Sequence, residues 1–242
     1  DDGNLYKEIW PLRMNGTPYS SSQFIAALKT NEDNNPSVEI IRNFGQAIAN
    51  ASDSELKGVI ENSMDINETL SNIVVDRTIR HDDGPFHWYC GGGNCTNHNY
   101  YWYEEPTSKK LHLIPWDLDN AFENIISNAN PVTPVADEWG ETRNNCQPFG
   151  YGFFQIQQWS AACDKLTGGW ASYETEYEQL LEQFKIGPFS KENVDSQLNK
   201  WREQIRAAVV EAENLHDDAT STVTWENAVH QLKSQCNFAR NK

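Results

Sequence analysis

The sequence lacks several features that would each point to a broad class of protein. No apolar run approaches the ~18 residues of a membrane-spanning helix. Basic residues are few, with 19 Lys and Arg against 35 Asp and Glu and a formal net charge of −16. Because nucleic acid requires a basic surface to neutralise its phosphates, this charge argues against a nucleic-acid partner. It is compatible with a nucleotide, since divalent metal ions screen the nucleotide's phosphates.

Several catalytic and metal-binding motifs are also missing. There is no Gly-x-x-x-x-Gly-Lys-Ser/Thr loop, which excludes a P-loop enzyme. There is no Gly-x-Ser-x-Gly motif, which argues against an α/β-hydrolase. The cysteines do not have the paired spacing of a zinc site. Internal repeats and low-complexity linkers are absent, so residues 1–242 are predicted to form a single domain.

Five cysteines and four Asn-x-Ser/Thr sequons favour an extracellular or cell-surface protein of the secretory pathway. Two cysteines bracket a Gly-rich tract that can close a small disulfide loop. The odd count leaves one thiol free or paired with chain outside this sequence. The disulfide candidates are Cys90, Cys95, Cys146 and Cys163, and the glycosylation candidates are Asn15, Asn50, Asn67 and Asn94.

Helical periodicity and capping residues predict a helix-rich chain with few strands, of class α+β. The clearest helix spans 65–80, with Asp65 near its N-terminus and a mostly apolar face. A strand is predicted at 3–10, a β-hairpin at 99–116, and an irregular, aromatic-rich excursion at 127–170. The other predicted helices cover 20–29, 37–50, 53–62, 173–184, 190–215 and 224–240.

Four polar residues around the predicted hairpin are candidates for chemistry. Asp83 precedes Gly84 in a loop where a carboxylate can face a substrate, although Asp-Gly is also a common turn pair. Asn99 begins a strand, where its amide oxygen is either a metal ligand or part of a turn. Asp117 has apolar neighbours and needs a partner there, for which metal is a common choice. Asp119 is either a second metal ligand on the same face or the cap of a helix at 120–126.

Lys7, in the first strand, is a candidate for contact with nucleotide phosphates, and the alternative is a solvated surface lysine. Three histidines, His81, His87 and His98, lie near the proposed site. Their spacing does not match a helical zinc pair, so core or surface roles are the expectation.

Five segments together resemble the CotH kinase family, which is named for a bacterial spore-coat protein. Their order and separation make the match specific across residues 3–123, and the C-terminal helices fit the family more loosely. The segments are residues 3–8 (GNLYKE), 64–70 (MDINETL), 76–84 (DRTIRHDDG), 98–103 (HNYYWY) and 114–122 (IPWDLDNAF).

The resemblance implies an atypical protein-kinase-like fold and the transfer of phosphate from ATP, with Mg or Mn, to serine or threonine of secreted, surface or coat proteins. By motif, Asp83 resembles the catalytic Asp that orients the acceptor hydroxyl. Asn99 and Asp117 resemble the metal ligands, and Asp119 is a further candidate. Lys7 resembles a nucleotide-contacting lysine. The nucleotide and metal region is expected at 1–126, with the aromatic-rich excursion and the C-terminal helices at 127–242.

Two features depart from the family pattern. Asp83 and Asn99 are sixteen residues apart, whereas protein kinases separate the equivalent residues by about five, so the insert between them has to loop out. Family members usually carry a β-rich segment before residue 3. The N-terminal lobe is therefore expected to be incomplete. Either an upstream segment or another chain completes it, or this version of the domain does not bind ATP.

Two other functions remain open at this stage. One is a non-catalytic surface module for adhesion or assembly, which would suit the incomplete lobe, the sequons and the many aromatic residues. The other is a carbohydrate- or calcium-binding domain that uses Asp117 and Asp119 beside Trp116.

Overall fold

Eight α-helices and seven short β-strands are present among residues 3–34, 36–81, 83–122, 146–151 and 155–241, the part of the chain that this computed structural model describes. The helices are α1 (Ser21–Ala26), α2 (Glu39–Asn50), α3 (Asp53–Ser63), α4 (Ile66–Ile79), α5 (Lys165–Ala171), α6 (Glu174–Ile186), α7 (Lys191–Leu215) and α8 (Thr222–Asn241). The strands are β1 (Asn4–Lys7), β2 (Trp88–Gly91), β3 (Asn94–Thr96), β4 (Tyr100–Glu104), β5 (Leu111–Pro115), β6 (Phe149–Tyr151) and β7 (Ile156–Trp159). The predicted class, α+β, is confirmed.

The strands form two small antiparallel sheets. One has the order β1-β4-β5, and the other has the order β3-β2-β7-β6. The predicted hairpin is β4-β5, with Trp102 opposite Leu113, and β1 adds to its other edge with Lys7 opposite Tyr101. The chain runs from β3 directly into β4, so the first residues of β4 lie at the junction of the two sheets.

Local capping explains where the predicted helices begin. The Asp65 carboxylate accepts a hydrogen bond from the Glu68 amide at 3.0 Å, which satisfies one free N–H at the start of α4. Ser52 and Glu55 form a reciprocal capping box at the start of α3. At its other end, α4 stops at Arg80, which has a left-handed conformation with φ of 49° and turns the chain towards Asp83.

An aromatic cluster around Trp10 joins the two sheets to α5. The Trp10 ring lies 5.9 Å from Trp88, 5.3 Å from Tyr100 and 5.9 Å from Trp170, measured between ring centroids and with edge-to-face geometry. The Trp10 indole N–H donates to a carboxylate oxygen of buried Asp164 at 3.0 Å. Edge-to-face pairs of this kind add to the free energy gained by burying the rings. The cluster therefore fixes the start of β4, which directly follows Asn99.

A buried carboxylate joins β1, β4 and α2. Glu104 is 4% exposed. One of its oxygens accepts from the Asn4 amide at 2.9 Å. The other oxygen accepts from the Tyr6 hydroxyl and from the Ile41 backbone N–H, each at 3.1 Å. Because the Ile41 N–H is one of the free donors in the first turn of α2, Glu104 caps that helix from another element.

The aromatic-rich stretch at 127–170 is more regular than predicted. Its described part contains β6, β7 and the short helix α5, and the disulfide between Cys146 and Cys163 spans both strands. Strand β7 pairs with β2, so contacts that are distant in sequence give this stretch its order. Residues 123–145, which include most of the predicted helix at 120–126, lie outside the described residues.

Helices α7 and α8 pack against each other as an antiparallel pair, joined by hydrogen bonds from Arg202 to both carboxylate oxygens of Glu226. The predicted apolar stripe of α7 is only partly covered, since Trp201 is 55% and Ile205 46% exposed. In α8, Cys236 and Ala239 belong to a small separate core.

Candidate functional site

Asp83 and Asn99 contact each other directly despite their separation in sequence. The Asn99 side-chain amide donates to a carboxylate oxygen of Asp83 at 2.9 Å, across sixteen residues. The intervening chain forms the β2-β3 hairpin, closed by the predicted disulfide between Cys90 and Cys95. The insert therefore loops out as the sequence required, and it leaves the two side chains in contact.

Asn99 is held by contacts to two other parts of the chain. It directly precedes β4 rather than beginning it, and it has a left-handed conformation with φ of 57°, which Asn tolerates better than most residues. Its N–H donates to a carboxylate oxygen of Glu8 at 3.1 Å, and its carbonyl accepts from the Trp116 N–H at 3.0 Å. The backbone N–H and carbonyl of Asn99 are therefore both hydrogen-bonded, and its side chain contacts Asp83.

Asp117 lies in a more open environment than its sequence neighbours suggested. Strand β5 ends at Pro115, Asp117 is exposed with a left-handed φ of 52°, and Asp119 is exposed within a short 3-10 turn. The apolar neighbours are themselves exposed, with Trp116 at 52% and Leu118 at 44%. Asp117 is therefore not buried as its apolar neighbours suggested, and β5 does not continue to Asp119.

His81 lies in the core, one of the two roles expected for it, and it contacts the loop that carries Asp117. It is fully buried, with Nδ1 at 3.1 Å from a carboxylate oxygen of Asp76 and Nε2 at 3.0 Å from the backbone carbonyl of Asp117. Both partners are acceptors, so both ring nitrogens donate when the imidazole is protonated. No spacing rule connects these three residues, because the contact to Asp117 crosses 36 positions.

The protonated form of His81 is favoured by its surroundings. Burial disfavours the charge, but the hydrogen bond to Asp76, the charge of Asp76 and the Asp117 carbonyl outweigh it and raise the pKa of His81. Burial raises the pKa of the partner carboxyl, Asp76, although His81 opposes that shift. An imidazole with a raised pKa thus lies two positions from Asp83 and contacts the backbone of the loop that carries Asp117.

Gly84 is required by this buried pair. A Cβ atom at position 84 would lie 2.5 Å from Nδ1 of His81 and 2.7 Å from a carboxylate oxygen of Asp76. Neither side chain has free space in which to retreat, since both residues are buried. The Asp-Gly sequence is therefore more than a turn pair, because it leaves room for His81 beside Asp83.

The Asp83 carboxyl is suited to accept a proton. Partial burial raises the pKa of Asp83, and the Glu8 carboxylate adds to this shift. The shift is opposed by nearby His98, by the hydrogen bond from Asn99 and by His81. A carboxyl with a raised pKa is a better base than an ordinary aspartate once it is ionised.

Lys7 lines an open cleft of about 480 Å³ next to this centre. Glu8, which holds Asn99, lines the same cleft, and so does a second lysine, Lys29. Neither lysine forms an ion pair within the described ranges. Lys7 was predicted from the sequence, whereas Glu8 and Lys29 were not. The bridge between Tyr6 and Leu28 brings Lys29 alongside β1.

The side chains can supply part of a metal site. Within the described ranges, no group of three or more His, Cys, Asp or Glu side chains is arranged to hold a metal ion. The Asn99 amide oxygen and the carboxylates of Asp117 and Asp119 are oxygen donors of the kind that Mg²⁺ and Mn²⁺ prefer. The chemical type of these donors suits an ion such as Mg²⁺, which commonly uses one or two protein ligands and completes its shell with water and phosphate oxygens.

A comparison with protein-family models connects this arrangement to known proteins. The model described as CotH kinase protein matches residues 1–241, essentially the whole chain. The chain belongs to the CotH kinase protein family. A search of curated proteins finds no match to it.

Membership of the CotH family implies a kinase-like domain, and the match extends the resemblance from residues 3–123 to the C-terminal helices. Within this CotH-family chain, the two disulfides fit a secreted protein. The fifth cysteine, Cys236, is free and buried. Among the described residues, no helix is both long enough and apolar enough to cross a membrane.

Proposed function

We propose that this chain is an ATP- and divalent-metal-dependent protein serine/threonine kinase that acts on secreted or surface proteins. The observation that carries the proposal is the 2.9 Å hydrogen bond between Asn99 and Asp83. A catalytic aspartate beside an asparagine that holds metal is the central pair of a protein-kinase site. Family membership supports the kinase-like reading, and the geometry of this pair supports activity over a purely structural role.

Each residue of the site has a separate role in the proposed reaction. Asp83 would orient the acceptor hydroxyl and accept its proton. The Asn99 side-chain amide donates to Asp83, and its amide oxygen would be a ligand of the metal. Asp117 supplies a carboxylate from a loop that His81 fixes through the Asp117 carbonyl. Asp119 is a further ligand candidate, and Lys7 contacts the nucleotide phosphates. A bound Mg²⁺ or Mn²⁺ would neutralise charge on the phosphates.

The first test measures phosphate transfer from γ-labelled ATP to an acidic, serine-containing protein in the presence of Mg²⁺ or Mn²⁺. Asp83→Asn is expected to lower turnover by about 10²–10⁴-fold, the usual effect of losing a general base, while Mn²⁺ binding remains. Asp33→Asn, at an exposed aspartate outside the site, is the matched control and is expected to act like the unmodified protein. Full turnover in Asp83→Asn would refute the assignment.

The second test measures metal binding itself. Asp117→Asn is expected to abolish Mn²⁺ binding, followed by electron paramagnetic resonance in the presence of a non-hydrolysable ATP analogue. The physical reason is that an amide replaces the charged ligand. Unchanged Mn²⁺ affinity and turnover would show that the metal site lies elsewhere.

A non-catalytic role in adhesion or assembly is the second candidate, and one observation favours it. The paired helices α7 and α8 leave apolar side chains exposed, including Trp201 at 55%, Leu215 at 66% and Val223 at 70%. Exposed apolar surface of this kind often marks protein-interaction sites. An adhesion module would bind its partner equally well with Asp83→Asn, which separates this function from the kinase.

The secretory-pathway location is also proposed. The four sequon asparagines Asn15, Asn50, Asn67 and Asn94 are all exposed and accessible to a glycosyltransferase. Expression through a eukaryotic secretory pathway is expected to give a mass that falls after treatment with an N-glycosidase. An unchanged mass would remove glycosylation from the proposal.

A further inference from the structure

Glu8 has an unusual backbone conformation at the centre of the site. It directly follows β1 and has a left-handed φ of 52°, a region that few residues other than Gly, Asn and Asp adopt. Its N–H donates to the Tyr100 carbonyl at 3.2 Å, so the β1-β4 ladder continues into this residue. Non-glycine residues with positive φ cost free energy and concentrate at functional sites.

The Glu8 side chain, in this conformation, contacts the backbone of Asn99. Its carboxylate accepts the backbone N–H of Asn99 at 3.1 Å, across 91 residues of sequence. Asn99 is itself left-handed, and it is the residue whose side chain reaches Asp83. The Glu8 side chain therefore contacts the backbone of Asn99, the proposed metal ligand. The Asn99 side chain contacts Asp83.

Glu8 also lies between two parts of the site. It lines the cleft that contains Lys7 and Lys29, and through Asn99 it is connected to Asp83. The side chain is exposed at the cleft, so its carboxylate is not required to cover the core.

We propose that Glu8 is a positioning residue, whose carboxylate fixes the left-handed backbone of Asn99 so that the Asn99 side chain contacts Asp83 and would be available to hold a divalent metal ion. This inference rests on the proposed function. Partners that orient a metal ligand from outside the coordination shell typically contribute about 10–100-fold to metal affinity or activity.

The test compares Glu8→Ala with Glu8→Gln in the intact chain. Alanine removes the acceptor and has the same difficulty as glutamate with a positive φ, so it adds no new backbone strain. Glutamine removes the charge and retains an oxygen that accepts the Asn99 N–H. Glu32→Ala, at an exposed glutamate away from the site, is the matched control.

The first measurement is hydrogen exchange of the Asn99 amide by NMR, which does not depend on any activity. Glu8→Ala is expected to raise the exchange rate by about 2- to 10-fold, the effect of losing one hydrogen bond. Glu8→Gln is expected to remain close to the unmodified protein. Unchanged exchange in Glu8→Ala would show that the hydrogen bond does not hold Asn99, and the proposal would fall.

The second measurement is Mn²⁺ affinity with a non-hydrolysable ATP analogue. Glu8→Ala is expected to weaken binding by about 10–100-fold, and Glu8→Gln is expected to restore most of it. Equal losses in both variants would overturn the positioning role in favour of a direct or charge-based one.

If Glu8→Ala binds Mn²⁺ normally while Asn99→Ala does not, the inference about Glu8 fails and the proposed function stands. Normal binding in Asn99→Ala and Asp117→Asn as well would overturn both.

Discussion

Replacing Gly84 by alanine tests whether the buried pair of His81 and Asp76 organises the site. The added Cβ would lie 2.5 Å from the His81 ring nitrogen and 2.7 Å from the Asp76 carboxylate. Real Cβ atoms do not approach other heavy atoms this closely, so at least one of the two side chains has to move. His81 is fully buried and Asp76 is 3% exposed, so neither can move into solvent without breaking their hydrogen bond of 3.1 Å.

Two terms set the magnitude of the effect. Overpacking a well-packed core costs about 1–3 kcal/mol. Separating the pair leaves a buried acceptor without its donor, which adds about 1–3 kcal/mol. We expect Gly84→Ala to lower the free energy of unfolding by about 3 kcal/mol, which corresponds to a fall in Tm of about 6–12 °C for a chain of this size.

Urea denaturation gives the free energy of unfolding, and Gly58→Ala is the matched control. Gly58 lies within α3, and a Cβ there would meet nothing within 4 Å. That change is expected to stabilise the protein by about 0.5–1 kcal/mol, because alanine is the better helix former. If Gly84→Ala were as stable as the unmodified protein, the close approach of His81, Asp76 and Gly84 would be wrong.

Further predictions concern two carboxylates. Burial raises the pKa of Asp83 in the folded state, so its ionisation disfavours folding as pH rises from the usual aspartate range through the raised value. Asp83→Asn is therefore expected to have a higher Tm than the unmodified protein at pH 7, and the difference is expected to shrink towards pH 4. A lower Tm of Asp83→Asn at pH 7 would contradict this prediction. Glu104 accepts from three donors, and an amide at that position would direct an N–H at one of them. We expect Glu104→Gln to lower the free energy of unfolding by about 1–3 kcal/mol in urea denaturation, while exposed Glu32→Gln changes little; equal stability of the two variants would refute the buried network.

Several parts of this protein could be predicted from sequence because they depend on neighbours a few residues apart. The cap at Asp65 and the apolar periodicity that follows it defined α4 to within one residue at each end. The same holds for the β4-β5 hairpin and for the disulfide between Cys90 and Cys95, whose partners are five positions apart. The order and separation of five short segments carried the family resemblance, which the family match then confirmed.

The exposure of Asp117 could not be predicted in this way. Its neighbours Trp116 and Leu118 are apolar, and apolar residues are usually buried. Burial depends on which surfaces the rest of the chain covers, and the described residues leave both of these side chains partly open to solvent. The residue types in a short segment do not show which other parts of the chain pack over it.

The sequence by itself determined the helices, the hairpin, the disulfide loop and the residues available for chemistry, because periodicity, capping and short loop closure act locally. Only the tertiary structure decided which of those residues meet. Asn99 contacts Asp83 across sixteen positions and Glu8 across 91, and His81 contacts Asp117 across 36 positions. Contacts at such separations result from packing the whole core, including the aromatic rings around Trp10, and no local pattern specifies them.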